Sequence, residues 1–286
     1  MYNLNEDNRP GLLFVIDFEK AFDTVSKNFI RQTLKFFNFG TSIIKWFDTL
    51  YNNAFSTVLV NGYFCKTFLI NRGCRQGDPL SPLLFNLVMQ IRNGMIYNDT
   101  LIRGLKFGNV ELEMVQYADD TMFILDSKKS SFDRLIDRLN FFSRFSGLKI
   151  NLSKSFLVGI GSLKDGSNFD CLNYNIQWIR DENFKILGII FNTTLSSMVH
   201  LNYSAEMIKI HDLLNYWSRR YLTPLGRITV IKSLILPHLN YLFSCTPLHL
   251  MSFLLNLIRC YFDLFGTTNL IALAENNLFM GIIKVD

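Results

Sequence analysis

Paired cysteines, zinc-ligand spacings and long apolar runs are missing from this chain, and each absence excludes something. The five cysteines, Cys65, Cys74, Cys171, Cys245 and Cys260, are odd in number and contain no Cys-x-x-Cys pair. Such spacing argues against a disulfide framework and against a zinc knuckle. It suits a reducing compartment in which cysteine serves as a small apolar residue. The most apolar stretch, Leu248 to Ile258, is interrupted by His249 and Asn256 and is too short to span a bilayer. The opening residues, Met1-Tyr2-Asn3-Leu4-Asn5-Glu6-Asp7, are polar and acidic, unlike a signal peptide. The expectation is a soluble intracellular protein with no membrane partner. There is no internal repeat and no low-complexity linker.

What is present is a core. Of 286 residues, 49% are hydrophobic and 14% aromatic, with 27 Phe, which places the chain among globular proteins of one large or two smaller domains. The net charge of +5 is a modest positive balance that fits a polyanionic partner without demanding one.

Apolar periodicity then sets the elements. Gly11 to Ile16 reads as a buried strand ending at Asp17. Ser26 can cap a helix running to about Phe37, and Thr41 or Ser42 can start another to about Asn52. Phe55 to Val60 and Phe64 to Ile70 flank Asn61-Gly62, a hairpin signal. Ser81-Pro82 suits the cap and first position of a helix ending near Asn93, before Gly94. Leu112 to Tyr117 and Thr121 to Leu125 read as strands joined at Ala118-Asp119-Asp120. Ser130 to Ser146 is an amphipathic helix closed by Gly147. Ser155 to Ile160 and Phe184 to Phe191 read as strands around a polar surface insertion, about residues 161–175. From about Met198 the pattern is helical. Thr223-Pro224 starts a helix that Pro237 interrupts. The shift near Ser196 marks a domain boundary, giving domains 1–195 and 196–286.

Two acidic sites stand at strand ends, Asp17 after Leu12-Leu13-Phe14-Val15-Ile16 and Asp119-Asp120 at a hairpin tip. Strand termini are rigid mounts, and converging carboxylates without His or Cys favour hard cations such as Mg²⁺. Either site alone is more often a solvated turn. Their combination with the motifs around them decides the reading.

Those motifs are five strings. Ile16-Asp17-Phe18-Glu19-Lys20-Ala21-Phe22-Asp23 resembles motif A of the non-LTR (LINE-type) retrotransposon reverse transcriptases. Gly73-Cys74-Arg75-Gln76-Gly77-Asp78-Pro79-Leu80-Ser81-Pro82-Leu83-Leu84-Phe85 resembles motif B, and Tyr117-Ala118-Asp119-Asp120 resembles motif C. Gly147-Leu148-Lys149-Ile150-Asn151-Leu152-Ser153-Lys154-Ser155 resembles motif D, and Leu187-Gly188-Ile189 looks like motif E. Each is weak alone; their order is specific. Trp217-Ser218-Arg219-Arg220 through Gly226-Arg227-Ile228 looks like the thumb of the same family.

The resemblance implies an α+β right-hand polymerase: a palm of antiparallel sheet with packed helices, partial fingers (about 25–72) and a helical thumb. It implies RNA-directed DNA polymerisation, with an RNA template, a DNA primer and dNTPs as partners and two Mg²⁺ ions, or Mn²⁺ in their place. Asp17 and Asp119 would ligate both metals, with Asp120 as a second, accessory motif C carboxylate and the Phe18 carbonyl completing a metal shell. Phe22 would exclude a 2′-hydroxyl. Gln76 and Gly77 would meet the nucleotide, and Arg75 a phosphate or a structural ion pair. Lys154, with Lys149 as rival, would assist the leaving pyrophosphate. Tyr117 would brace the primer end, and Arg219, Arg220, Arg227 and Lys232 would track duplex phosphates, whereas Trp217 reads as core. Family resemblance also implies access to cytoplasm and nucleus and priming on nicked chromosomal DNA. Only ten residues precede Gly11, so the expectation is a polymerase portion cut off before its fingers. Gln90 replaces an expected acidic residue, and the last forty or so residues fit poorly. The alternative expectation is a non-catalytic nucleic-acid-binding remnant. A nucleotide cyclase would have no use for Arg75-Gln76-Gly77-Asp78-Pro79-Leu80-Ser81-Pro82.

Overall fold

The structure is a computed structural model, and it describes residues 9–164, 169, 174–180, 183–192 and 195–245. Cys171, Cys260 and the Leu248 to Ile258 stretch lie outside these residues. The chain divides into two compact units, Met1–Glu182 and Asn183–Asp286. The division falls before the point near Ser196 at which the sequence pattern turns helical.

The first unit is built on a five-stranded sheet. Its strands are β1 (Gly11–Ile16), β2 (Met114–Tyr117), β3 (Asp120–Leu125), β4 (Phe156–Ile160) and β5 (Gln177–Ile179), in the order β5-β4-β1-β3-β2. All neighbours are antiparallel except the edge pair β4–β5. β1 is central and nearly continuous in apolar residues, as a strand buried on both faces should be. Among the described residues four helices of ten residues or more accompany the sheet: α1 (Lys27–Phe36), α2 (Thr41–Tyr51), α3 (Ser81–Tyr97) and α4 (Lys129–Ser146). Leu12, Phe14 and Ile16 of β1 share one core with Phe85, Val88 and Met89 of α3 and Phe132, Leu135 and Leu139 of α4. The α+β architecture of sheet and packed helices is therefore as the sequence implied.

The helix boundaries show the local chemistry. Ser26 caps α1 by accepting from the Phe29 amide at 3.3 Å. Ser81 does not cap α3. Asp78 accepts from the Leu80 amide at 3.0 Å, and the buried Ser81 hydroxyl meets Tyr51 Oη at 3.0 Å instead. α3 also runs past Gly94 to Tyr97, because Ile96 anchors its last turn in the core. Gly147 ends α4 at φ 80°. Below α3, Asp99 accepts from Arg134 of α4 at 2.8 Å and also from Arg138. Burial alone would push that carboxyl up, but the bonds from Arg138, the Leu101 amide and Arg134 outweigh it and hold the group below its usual range.

Backbone bonds lock three segments together around the end of β1. Ser26 N–H donates to Ser146 C=O, Gly73 N–H to Val25 C=O, and Cys74 N–H to Phe22 C=O. Gly73 stands at φ 87°, and a Cβ there would meet the Phe22 and Asp23 carbonyls at 2.8 Å.

Between α2 and α3 the chain forms two short two-stranded ladders. Leu59–Val60 pairs with Tyr63–Phe64 across Asn61-Gly62, at φ 49° and 86°, as that dipeptide predicts. Phe55–Ser56 pairs with Phe68–Leu69. Phe55, Leu59, Val60, Tyr63, Phe64 and Phe68 are all exposed.

In the second unit, Phe184 to Phe191 is not one strand but a hairpin of Phe184–Ile186 and Ile189–Phe191. Leu187-Gly188 makes the turn, at φ 48° and 86°. The buried Asn202, on the helix Leu195–Ser218, pins this hairpin by bonding both the Ile190 amide and its carbonyl. Pro237 does not break the following helix. A π-turn over Ile231–Ile235 precedes it, with Leu236 N–H reaching back to the Ile231 carbonyl. This widening lets Pro237, which lacks an N–H, sit near the start of the next helical stretch, Leu236–Cys245. Leu225–Cys245 is, among the described residues, the one helix whose length and composition would allow a membrane crossing. One side of it, Ile231, Ile235 and Leu239, packs with Ile210 and Leu214, whereas Leu225, Ile228 and Leu234 are exposed.

Replacing Gly73 with Ala should lower folding stability by about 2 kcal/mol or more, because the left-handed backbone and the carbonyl contacts both oppose a Cβ. Chemical denaturation of the two proteins measures the difference.

Candidate active site

The site forms where β1 ends beside the β2–β3 hairpin. Ile16 pairs with Thr121 and Tyr117 with Asp120, so Asp17 continues β1 just past that register, alongside Asp120. The hairpin turn is two residues, Ala118 and Asp119, and Asp120 already belongs to β3, one position earlier than the sequence pattern set it. Ala118 takes a left-handed φ of 52°. A left-handed non-glycine costs roughly 1–2 kcal/mol, so the turn must be held by its surroundings.

Asp17 is fixed through its backbone. Its N–H donates to Ser155 Oγ at 3.1 Å, and its carbonyl accepts from the Asn151 N–H at 2.8 Å. Ser155 is buried, and its hydroxyl donates in turn to the Asn151 carbonyl at 2.8 Å. Phe18 bridges Ile150, and the bonds of that bridge use the Asp17 and Lys149 carbonyls. The Phe18 carbonyl is not consumed by it. The carboxylate of Asp17 is left half-exposed, with Lys154 Nζ 3.9 Å away. Lys154, not Lys149, is thus the lysine beside Asp17. An exposed pair at this distance contributes little, on the order of 0–1 kcal/mol.

The carboxylates feel one another. Burial first, then the charges of Asp119 and Asp17, push the Asp120 carboxyl above its usual range. Among the described residues no three His, Cys, Asp or Glu side chains are gathered closely enough to hold an ion between them. The approach of Asp17, Asp119 and Asp120 is therefore electrostatic. Oxygen-only donors that repel one another fit a hard divalent cation, which would relieve the repulsion.

The other expected residues divide. Phe22 is half-buried and stacks on Phe85, with ring centroids 4.5 Å apart, so its ring is rigidly mounted. Gln76 is exposed, and its amide donates to Asp23 at 3.3 Å, linking motif B to motif A. Gly77 needs glycine for its φ of 84°; a Cβ there would meet no other atom of the chain within 4 Å. Arg75 makes no structural ion pair among its recorded contacts. Its guanidinium donates to the Leu50 carbonyl and lies 5.3 Å from the Tyr51 ring centroid. Tyr117 is 69% exposed, so hairpin packing does not occupy it.

In the second unit, Arg219 and Lys232 are exposed. Arg220 lies over the rings of Tyr216 and Trp217, at 4.6 and 5.0 Å, and donates to Tyr216 Oη. Trp217 is half-buried and joins this cation–aromatic cluster, where the sequence suggested a core residue. Arg227 lies on the short helix Pro224–Val230.

Ser155, Asn151 and Gln116 carry no signal of their contacts in the sequence. Arg92 carried one signal: a charge on the apolar stripe Val88, Met89, Arg92, Ile96.

Carboxylates at the open end of an antiparallel sheet, backed by two long helices, define the palm of a template-directed polymerase. The chain matches the model of the family described as reverse transcriptase (RNA-dependent DNA polymerase) over residues 2–191, and it belongs to that family. It is 28% identical over 240 residues to the retrovirus-related Pol polyprotein of the type-2 retrotransposable element R2DM of Drosophila melanogaster, covering 79% of this chain and 21% of that protein. It is 26% identical to the transposon TX1 149 kDa protein of Xenopus laevis, covering 80% and 17%. Against a type-1 R2 Pol polyprotein of Popillia japonica it is 24% identical, covering 79% and 32%. The chain thus spans a third or less of the length of these relatives. Among solved structures, telomerase of Candida tropicalis with a fragment of telomeric RNA aligns at a TM-score of 0.49 and 12% identity, over 74% of this chain and 37% of that one.

The raised Asp120 carboxyl gives a signed prediction. Its folded form prefers the proton, so the stability it contributes is full below about pH 3.8, its ordinary value, and is lost as pH rises through the folded value. Asp120→Asn should therefore raise the melting temperature at pH 7 without divalent ions, with the gain vanishing near pH 3. A pH series of thermal melts on both proteins reads this directly.

Proposed function

We propose that this chain is the polymerase portion of a retrotransposon reverse transcriptase, adding dNTPs to a primer 3′-hydroxyl on an RNA template. The observation that carries the reading is that Asp17, Asp119 and Asp120 stand at one sheet end, near enough for the first two to raise the carboxyl of the third, in a chain of this family. The relatives' names support the kind of element.

Asp17 and Asp119 would hold two Mg²⁺ ions, with Asp120 and the Phe18 carbonyl as further donors and Mn²⁺ as a substitute. Bound there, the ions would activate the 3′-hydroxyl and neutralise charge on the departing pyrophosphate. The chain's own residues do the rest. The Ser155 and Asn151 bonds fix the backbone that carries the Asp17 carboxylate. Phe22, stiffened by Phe85, sets a wall that leaves no room for a ribose 2′-hydroxyl. Gln76 and Gly77 present an open backbone to the nucleotide, since nothing in the chain fills the space beside Gly77. Arg75 reaches phosphate only by leaving the Leu50 carbonyl. Lys154 offers a cation beside Asp17 for the leaving group. Tyr117 supports the primer end. Unit Met1–Glu182 serves as palm with partial fingers. In the second unit, acting as thumb, Arg219, Arg220, Arg227 and Lys232 bind phosphates in a salt-dependent way.

The test is primer extension on an RNA template with Mg²⁺ and dNTPs, beside Asp119→Ala. Extension that this substitution abolishes, with duplex binding unchanged, is expected. Duplex binding without any extension would overturn the polymerase reading and leave a nucleic-acid-binding protein. In the same assay, Phe22→Val should raise ribonucleotide relative to deoxyribonucleotide incorporation.

A further inference from the structure

Arg92 is a fully buried arginine whose hydrogen-bond partners are all neutral. It lies on α3 and is among the largest side chains with no solvent exposure. Nη1 donates to Thr121 Oγ1 at 3.0 Å, and Nη2 to Gln116 Oε1 and Asn93 Oδ1, each at 2.9 Å. Nη2 also approaches Met114 Sδ at 3.5 Å, and Nε donates to Asn93 Oδ1 at 3.2 Å. The guanidinium carbon is 5.8 Å from the Phe18 ring centroid and 5.7 Å from that of Phe123. Burial draws its pKa down to about 9. A charge buried without a counter-ion is costly to keep, and an apolar side chain would fill the same stripe more cheaply. Some specific arrangement must depend on it.

The partners say which. Phe18 follows Asp17, Thr121 follows Asp120, and Gln116 lies two residues before Ala118. Because strand residues alternate in direction, Thr121 faces α3 while Asp120 faces solvent. Arg92 thus sits under the opposite face of the sheet end that carries the carboxylates. Gln116 extends the chain of bonds. Its Oε1 accepts from Arg92 and from Asn93 Nδ2 at 2.8 Å, and its Nε2 donates to the Ala118 carbonyl at 2.8 Å. Ala118 is the left-handed residue of the two-residue turn that it forms with Asp119.

We propose that Arg92 is a positioning residue for the Asp119 and Asp120 carboxylates, acting through Gln116 on the Ala118 carbonyl and through the Thr121 hydroxyl. The guanidinium fork sets both ends of the turn at once: Gln116 on β2 and Thr121 on β3. A lysine at this place could not do so, because it presents a point charge, not a planar fork. Loss of the fork frees Gln116 and lets the strained turn relax, which moves the carboxylates out of register for a divalent ion. This inference rests on the polymerase reading of the same site.

The experiment is Mn²⁺ titration of the full 286-residue chain, read by electron paramagnetic resonance of the free ion, with no nucleotide present. Arg92→Met and Arg92→Lys are compared with Met89→Ala, a core substitution on the same helix, each with its melting temperature. The Arg92 substitutions should weaken Mn²⁺ binding about ten-fold or more, the usual effect of removing an outer support of a metal site. Met89→Ala should leave it unchanged at a comparable loss of melting temperature. Gln116→Met cuts the same relay at the turn and should match Arg92→Met, so the proposal remains testable if the latter does not fold. Equal Mn²⁺ affinity in the wild type, the Arg92 substitutions and Gln116→Met would overturn the positioning role. Failure of the wild type to bind Mn²⁺ in a manner sensitive to Asp119→Asn would instead overturn the polymerase reading, and this proposal with it.

Discussion

The position of β1 between two antiparallel neighbours is the constraint on which the rest of this site depends. One neighbour, β3, begins at Asp120, directly after Asp119 in the turn; the other, β4, follows the loop that pins the Asp17 backbone. Side-chain direction in a sheet alternates with every residue, so a slip of one position would turn Asp17 toward the core and Ile16 to solvent. Leu12, Leu13, Phe14 and Ile16 are buried, and a slip would have to repack all four. The placement of the acidic groups is thus a by-product of hydrophobic register, enforced by residues that never touch a substrate.

Against that enforcement stands repulsion. Burial and the charges of Asp119 and Asp17 raise the proton affinity of Asp120, and the turn that leads into it holds Ala118 in a left-handed conformation. The polar lattice of Arg92, Asn93, Gln116 and Thr121 below the turn, and Ser155 with Asn151 beside Asp17, oppose this locally. The site is a place where the fold is strained by what it presents and is over-supported from behind.

Much of this was legible in the sequence. A run of apolar residues ending in Asp17 marked β1, Asn61-Gly62 marked its turn, and the ordered motifs placed both acidic sites. Three features escaped. Leu187-Gly188 was hidden inside an apolar run, because a turn flanked by isoleucines looks like an unbroken strand. Pro237 read as a helix break because its cost is usually a lost bond, and a π-turn that shifts the bonding pattern leaves no compositional trace. Arg92 and Gln116 join residues far apart in sequence, and nothing in either neighbourhood announces their contact. Ser81 shows the converse: its position was right for a cap, but Tyr51 had a stronger claim on its hydroxyl.

The ladder residues between α2 and α3 carry a consequence for the chain as a colloid. Phe55, Leu59, Val60, Tyr63, Phe64 and Phe68 present aromatic and branched side chains on two-residue strands whose outer backbone edges face water. Short strands limit edge pairing, and the left-handed turn at Asn61-Gly62 twists the ladder, both of which slow strand addition from a second copy. The apolar surface nevertheless favours contact between copies whenever they meet. This apolar surface lies on a segment outside the acidic centre, so the feature that draws copies together is separate from the one that presents the carboxylates.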